Sequence, residues 1–193
     1  MGNKRMIELE VLVEILDTYE NAVLALSKYE HIKDSLIIDE YFYDPLRKNL
    51  KPDSFGKTFE CLRIRQCQKE NKLTYKQDVY KKGVWQYSNE NELTIKDANS
   101  LKQIFHHLGL KELLTIRNNR KYYRYDNYEI VLEEVNELGV FLEVEYKGVL
   151  SEANIQETRN GIKQFIGNLD LCTSPELNAG KPELFIKKHN IMI

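Results

Sequence analysis

The sequence is poor in the residues that staple, break or anchor a chain. Its 193 residues hold three cysteines, four prolines and one tryptophan. Cys61, Cys67 and Cys172 are odd in number and lack zinc spacing, which argues against a disulfide framework or a cysteine-based zinc module and for free thiols in a reducing compartment. No apolar run approaches the ~20 residues that cross a bilayer as a helix. Met1-Gly2-Asn3-Lys4-Arg5 leads into the first strand without the apolar stretch of a signal peptide. A cytoplasmic location without a membrane partner is therefore expected. Neither sign of charge prevails: a formal net charge of -2 gives no global pull on nucleic acid or anionic lipid. There is no Gly-rich phosphate loop, no Ser/His/Asp set and no nucleic-acid-binding motif. An anionic ligand must be held by a local cluster of Lys and Arg.

What is present, 42% hydrophobic and 30% charged residues, suits one globular domain over residues 1–193. Its core is expected over 6–169, with a tail over 170–193. The first strand, from Met6 to Ile15, organises the rest. Ile7, Leu9, Val11, Val13 and Ile15 form one apolar face, and Glu8, Glu10, Leu12 and Glu14 the other. Glutamates on an open sheet would simply face water. Facing inward in a closed sheet, Glu8 and Glu10 would lie about 7 Å apart and suit a hard cation.

Strand patterns recur at Ser35–Tyr43 (closed by Pro45), Thr58–Cys67, Leu73–Tyr80, Trp85–Ile95, Leu113–Tyr125, Tyr128–Val135 and Val140–Lys147. Helical patterns open at Asp17-Thr18-Tyr19-Glu20, at Asp97 (ending at Gly109) and over Ser151–Leu169. Residues 46–56 read as a polar surface loop, and the tail has two prolines and a short apolar close, Leu184-Phe185-Ile186. Asp126-Asn127 and Lys69-Glu70-Asn71 read as hairpin turns. The fold class is α+β: an eight-stranded antiparallel β-barrel with three flanking helices.

The anomaly is that the strands alternate apolar with charged of both signs. Glu8/Glu10, Arg63/Arg65 and Glu143/Glu145 are same-sign pairs at i,i+2, joined by Lys76, Arg120 and Glu133, with Lys72 on the face of Lys76. Each could be solvated surface. Turned inward together they would line a tunnel, and buried charge needs a charged partner. A polyphosphate with a divalent cation would satisfy both walls, guanidinium groups forking onto phosphate and carboxylates holding the metal.

Five segments resemble the CYTH proteins, the triphosphate tunnel metalloenzymes. Ile7-Glu8-Leu9-Glu10 is similar to the opening E-x-E-x-K, Asp39 to Pro45 to D-x-Y-F-x-x-P, Leu62-Arg63-Ile64-Arg65 to L-R-I-R and Leu73-Thr74-Tyr75-Lys76 to L-T-Y-K. Leu132 to Glu145 is similar to L-D-x-V-x-x-L-G-x-F-x-E-I-E. The resemblance implies a barrel whose interior is the active site. It implies that Glu8, Glu10, Glu133, Glu143 and Glu145 hold Mg²⁺ or Mn²⁺ and that Arg63, Arg65, Lys76 and Arg120 bind the triphosphate, ATP or thiamine triphosphate. The implied catalytic set is Glu8, Glu10, Arg63, Arg65, Lys76 and Arg120.

Among the family's activities, class IV adenylyl cyclase is the leading expectation, converting ATP to cyclic AMP and pyrophosphate. The alternatives are a thiamine, inorganic or nucleoside triphosphatase and a non-catalytic binder of polyphosphate or nucleotide. The chain departs from the pattern where Leu12 and Asn118 stand for lysines and Glu133 for aspartate, so two cations are expected to be missing from the wall. Arg117 should face outward. His106-His107 on a helix face different ways, and Cys61 and Cys67, about 20 Å apart along one strand, cannot share a metal. The oligomeric state stays open, a homodimer included.

Overall fold

The computed structural model describes residues 6–191 and 193; the leading Met1-Gly2-Asn3-Lys4-Arg5 lies outside them. The first strand is split into β1 (Met6–Glu8) and β2 (Glu10–Glu14). Then follow α1 (Tyr19–Leu26), β3 (Glu30–Tyr43), β4 (Glu60–Gln66), β5 (Asn71–Lys81), β6 (Val84–Ile95), α2 (Ala98–His107), β7 (Lys111–Tyr125), β8 (Tyr128–Val135), β9 (Gly139–Tyr146), α3 (Ile155–Gly167) and α4 (Lys181–His189).

The sheet order is β1-β6-β5-β4-β3-β7-β8-β9-β2, every neighbour pair antiparallel. Its two outer members are halves of one strand, so the sheet closes on itself as an eight-stranded barrel. Leu9 is the seam: before it the chain pairs with β6 (Glu8 opposite Ser88), after it with β9 (Glu10 opposite Glu145). Closure removes most of the exposed edge that an open sheet would present, leaving Val84–Tyr87 of β6 without a second strand neighbour.

The outward faces carry the apolar cores. Leu9, Val11 and Val13 pack with Leu142 and Val144 beneath Ala22 and Leu26 of α1 and Ile162, Phe165 and Ile166 of α3. Phe42 and Ile64 pack against Ala98 and Phe105 of α2, the two phenylalanine rings meeting edge to face at 5.1 Å. Thr18 caps α1 through Asn21 N, and Asp97 caps α2 through Asn99 N and Ser100 N, as their residue types favour. Asp126 takes a positive φ in the β7–β8 turn, a conformation that Asp tolerates.

Two expectations are corrected. β3 begins at Glu30 rather than Ser35, because β7 is long enough to give Glu30–Asp34 partners as far as Arg124. The tail is not an irregular appendage, and there are four helices. Gly180 starts α4, Glu183 reaches back to Gly180 N, and Pro182 sits in the first turn, where its missing N–H costs nothing. Ile186 of α4 is buried with Leu12, Tyr41, Leu114, Ile116, Val135 and Phe141. That apolar cluster stops one end of the barrel.

Candidate active site

Alternation in the closed barrel turns the charged faces of the strands inward, around a cavity of about 850 Å³. Glu8, Glu10, Arg63, Arg65, Lys76, Arg120, Glu143 and Glu145 all line it. Arg117 points outward, beside Asn136 and Phe185, as its place in the alternation requires. The other candidates behave differently. His106 lies exposed at the end of α2, 3.6 Å from Glu112. Cys61 lines the cavity, its thiol pushed up to about 11 by burial.

The basic residues are held by acids from neighbouring strands. Arg65 forks onto Asp39, Nε to Oδ1 and Nη2 to Oδ2, both at 2.7 Å. Arg63, the next inward residue of β4, has Nη1 3.9 Å from Asp39 Oδ2 and donates from Nη2 to Thr74 Oγ1 at 3.2 Å. Its Nε has no partner among the described residues. Burial works against the Asp39 charge, but the two guanidinium groups hold its carboxyl well below the usual range. Asp39 therefore orients both arginines, a role that alternation along a single strand could not reveal.

On β5, the strand next to β4, Lys76 Nζ donates to Glu8 Oε2 at 2.5 Å and lies 3.4 Å from Glu90 Oε2. Burial opposes its charge, but Glu8, Glu10 and Glu90 hold the ammonium well above its ordinary range. Glu8, expected as a metal ligand, is thus paired with an expected phosphate ligand.

Glu133 is placed differently from the other four glutamates expected to hold the metal. It is fully buried and does not line the cavity. Arg120 Nη2 is 2.9 Å from its Oε2, to which Asn118 Nδ2 donates at 2.7 Å. Lys181 Nζ takes Oε1 at 2.5 Å. With these partners Glu133 is the counter-ion of a cation cluster behind the cavity lining.

Lys181, the first residue of α4, was not among the expected site residues. Its ammonium bridges Glu133 and Glu143, 2.5 Å from each. Asn118 is bonded to Glu133, and Leu12 is the cross-strand partner of Glu143. One ammonium from the tail thus meets the acids beside both positions that lack lysines. The Gly-Lys-Pro-Glu start of α4 was the signal in the sequence that could have pointed to it.

Glu10 and Glu145 face each other across the β2–β9 pair. Burial, then the charge of Glu143, pushes Glu10 up to about 8. Burial, then Glu8, pushes Glu145 up to about 8, outweighing Lys147 at 2.5 Å. Glu143 goes the other way: burial is outweighed by Lys181 and Arg120, and its carboxyl lies well below the usual range. Among the described residues no three His, Cys, Asp or Glu side chains converge on a point as a ready-made metal cage. The donor set still fits a hard divalent cation. Two adjacent buried carboxyls lack enough positive charge of their own, and Mg²⁺ commonly takes one or two carboxylates with substrate phosphate and water as its other ligands.

The CYTH domain matches residues 4–164. The chain belongs to the CYTH family. A Methanocaldococcus jannaschii protein named "Putative adenylate cyclase MJ0240" is 35% identical over 142 residues, 72% of this chain and 77% of that one. The structure of the PH1819 protein of Pyrococcus horikoshii superposes with a TM-score of 0.78 at 25% identity, covering 93% of this CYTH chain and 99% of that chain. A Hippeastrum protein described as an adenylyl cyclase candidate with a dominant triphosphatase activity shares the fold, with a TM-score of 0.62 at 16% identity, covering 96% and 97%. No helix among the described residues is long and apolar enough to cross a membrane.

Proposed function

We propose that this CYTH protein is a divalent-cation-dependent enzyme acting on an organic triphosphate, with conversion of ATP to cyclic AMP and pyrophosphate as the leading reaction. One observation carries the reading: one cavity sets Arg63, Lys76, Arg120 and Lys181 against Glu10, Glu143 and Glu145. A triphosphate would draw the cations from the acids that now hold them, and a divalent cation would take up the acids so released. The name of the Methanocaldococcus jannaschii relative supports cyclisation.

In this reading Arg63, with an unpartnered Nε, and Arg65, held flat by Asp39, bind phosphate oxygens. Lys76, Arg120 and Lys181 neutralise charge on the phosphate chain. Mg²⁺ or Mn²⁺ held by Glu10 and Glu145, with Glu143 near, would polarise the phosphoryl oxygens at the reacting phosphorus. The apolar plug built on Ile186 keeps water from one end of the barrel, and positioning with charge neutralisation supplies most of the rate.

Hydrolysis is the second reading, favoured by the activity described for the Hippeastrum neighbour in fold. Substrates then include thiamine triphosphate and tripolyphosphate. The test is product analysis of purified protein with Mg²⁺ or Mn²⁺ and each of ATP, thiamine triphosphate and tripolyphosphate. Cyclic AMP with pyrophosphate establishes the cyclase, and orthophosphate alone establishes the triphosphatase. Binding without product shows a non-catalytic binder and overturns both.

A further inference from the structure

Below Glu8 the barrel seam is not closed by the first strand, because β1 reaches β6 only as far as Ser88. Residues Val84–Tyr87 of β6 have β5 on one side and no strand on the other. The tail fills that gap. Ser174 N donates to Glu14 O at 2.9 Å and Leu177 N to Leu12 O at 2.9 Å, which fastens the tail to β2. On the other side Trp85 N donates to Asn178 Oδ1 at 2.8 Å, and Asn178 Nδ2 to Gly83 O at 3.0 Å. Three residues further on, Lys181 enters the cavity.

One buried side chain ties this seam together. Arg159 of α3 is 4% exposed. Its Nη1 pairs with Glu176 of the tail, its Nη2 donates to Gln86 O of β6, and its guanidinium lies 5.0 Å from the Trp85 ring centre. Lys163, one turn along α3, takes the other Glu176 oxygen at 2.5 Å. A buried guanidinium is costly unless it is paired, and here both Nη groups have partners while Nε has none among the described residues. The helix has no need of it for packing, since Ile155, Ile162, Phe165 and Ile166 already anchor α3. Its partners belong instead to the tail and to the open margin of β6.

We infer that Arg159 is a positioning residue of the active site: it locks the tail across the barrel seam and so sets Lys181 between Glu133 and Glu143. This rests on the reading of the cavity as a triphosphate site only for its effect on ligand affinity. The placement of Lys181 stands apart from that reading.

Reductive dimethylation of lysines with formaldehyde and cyanoborohydride, followed by peptide mass spectrometry, tests the placement without a ligand. In the native protein both Lys181 and Lys76 should react slowly. In Arg159→Gln, and in Glu176→Gln, Lys181 should react at least tenfold faster while Lys76, held by β5, stays protected. Arg159→Lys, which keeps the charge but not the two-armed grip, should fall between. Tripolyphosphate titration of the same proteins should show tenfold weaker binding for Arg159→Gln and Lys181→Gln, and no further loss in the double variant. If Lys181 stays protected in Arg159→Gln, or if Lys76 becomes reactive in step with it, the inference is overturned. If the native protein binds no tripolyphosphate while the labelling pattern holds, the triphosphate reading fails and the positioning role stands.

Discussion

Lys181 Nζ lies 2.5 Å from Glu143 Oε2, although the two residues come from a tail helix and from the last strand of the barrel. The bond joins the acidic wall to the segment that closes the seam. Glu143 therefore leans toward the cations, which hold its carboxyl well below the usual range, whereas burial raises those of Glu10 and Glu145. Of the acids that line this cavity, Glu8 and Glu143 anchor buried lysines, Glu145 meets the exposed Lys147, and Glu10 has no ion-pair partner within 4 Å among the described residues.

Asp39 anchors two arginines, so its removal should be costly. Asp39→Ala leaves the buried Arg63 and the half-buried Arg65 without the carboxylate that lies within 4 Å of both, a loss of ~3–5 kcal/mol by analogy with other broken buried pairs. For a chain of this size that lowers Tm by roughly 6–20 °C. Differential scanning calorimetry checks it, and a shift under 2 °C would show that water satisfies the arginines.

Glu10 and Glu145 are carboxyls with raised values, about 8 each against an ordinary 4.5. Between those values the folded protein holds protons that the unfolded chain has released. Their contribution to stability is therefore complete below about pH 4.5 and is lost as the pH rises through 8. A divalent cation must displace the same protons. Mn²⁺ affinity should rise steeply between pH 6 and 8, and calorimetry in buffers of different ionisation enthalpy should show one to two protons released at pH 7. Affinity independent of pH would mean that neither carboxyl meets the metal.

Glu10 and Glu14 share a strand face but not a neighbourhood. Glu10 lines the cavity opposite Glu145, whereas Glu14 lies outside the lining, beside Phe141 and the tail. Glu10→Gln should lower metal-dependent turnover at least tenfold, with Glu14→Gln within twofold of the native protein. Steady-state rates over a Mg²⁺ series decide it, and equal losses would remove Glu10 from the metal site.

The barrel was legible because alternation is a local property. The faces of Arg63/Arg65, Lys76 and Glu143/Glu145 could be read from single strands, and the inward face is what the closed sheet shows. Depth and partnership could not be read that way. Glu8 meets Lys76 across 68 residues of sequence and Asp39 meets Arg65 across 26, pairings that only the register between strands sets. Glu133 is on the expected face but lies behind Arg120, since alternation fixes a direction and not a distance from the cavity. The tail helix escaped notice because Pro182 suggests a break, whereas in a first turn it favours a start. With that helix went Lys181.

Leu12 and Lys181 supply the last test. Leu12 is 6% exposed, packed with Tyr41, Phe141 and Ile186, and sits opposite Glu143. A lysine there in the native protein would meet the plug and crowd the ammonium of Lys181, so Leu12→Lys alone should lower Tm and bring no gain in tripolyphosphate affinity. Lys181→Met should weaken that affinity ~10-fold, about 1.4 kcal/mol, by removing one cation from the wall. In the double variant the new ammonium has Glu143 to itself and a methionine beside it, so part of the affinity should return. Calorimetric titration of the four proteins with tripolyphosphate reads the coupling. Losses that simply add would mean that position 12 cannot reach the Glu143 carboxylate, and that the tail lysine has no substitute on the first strand.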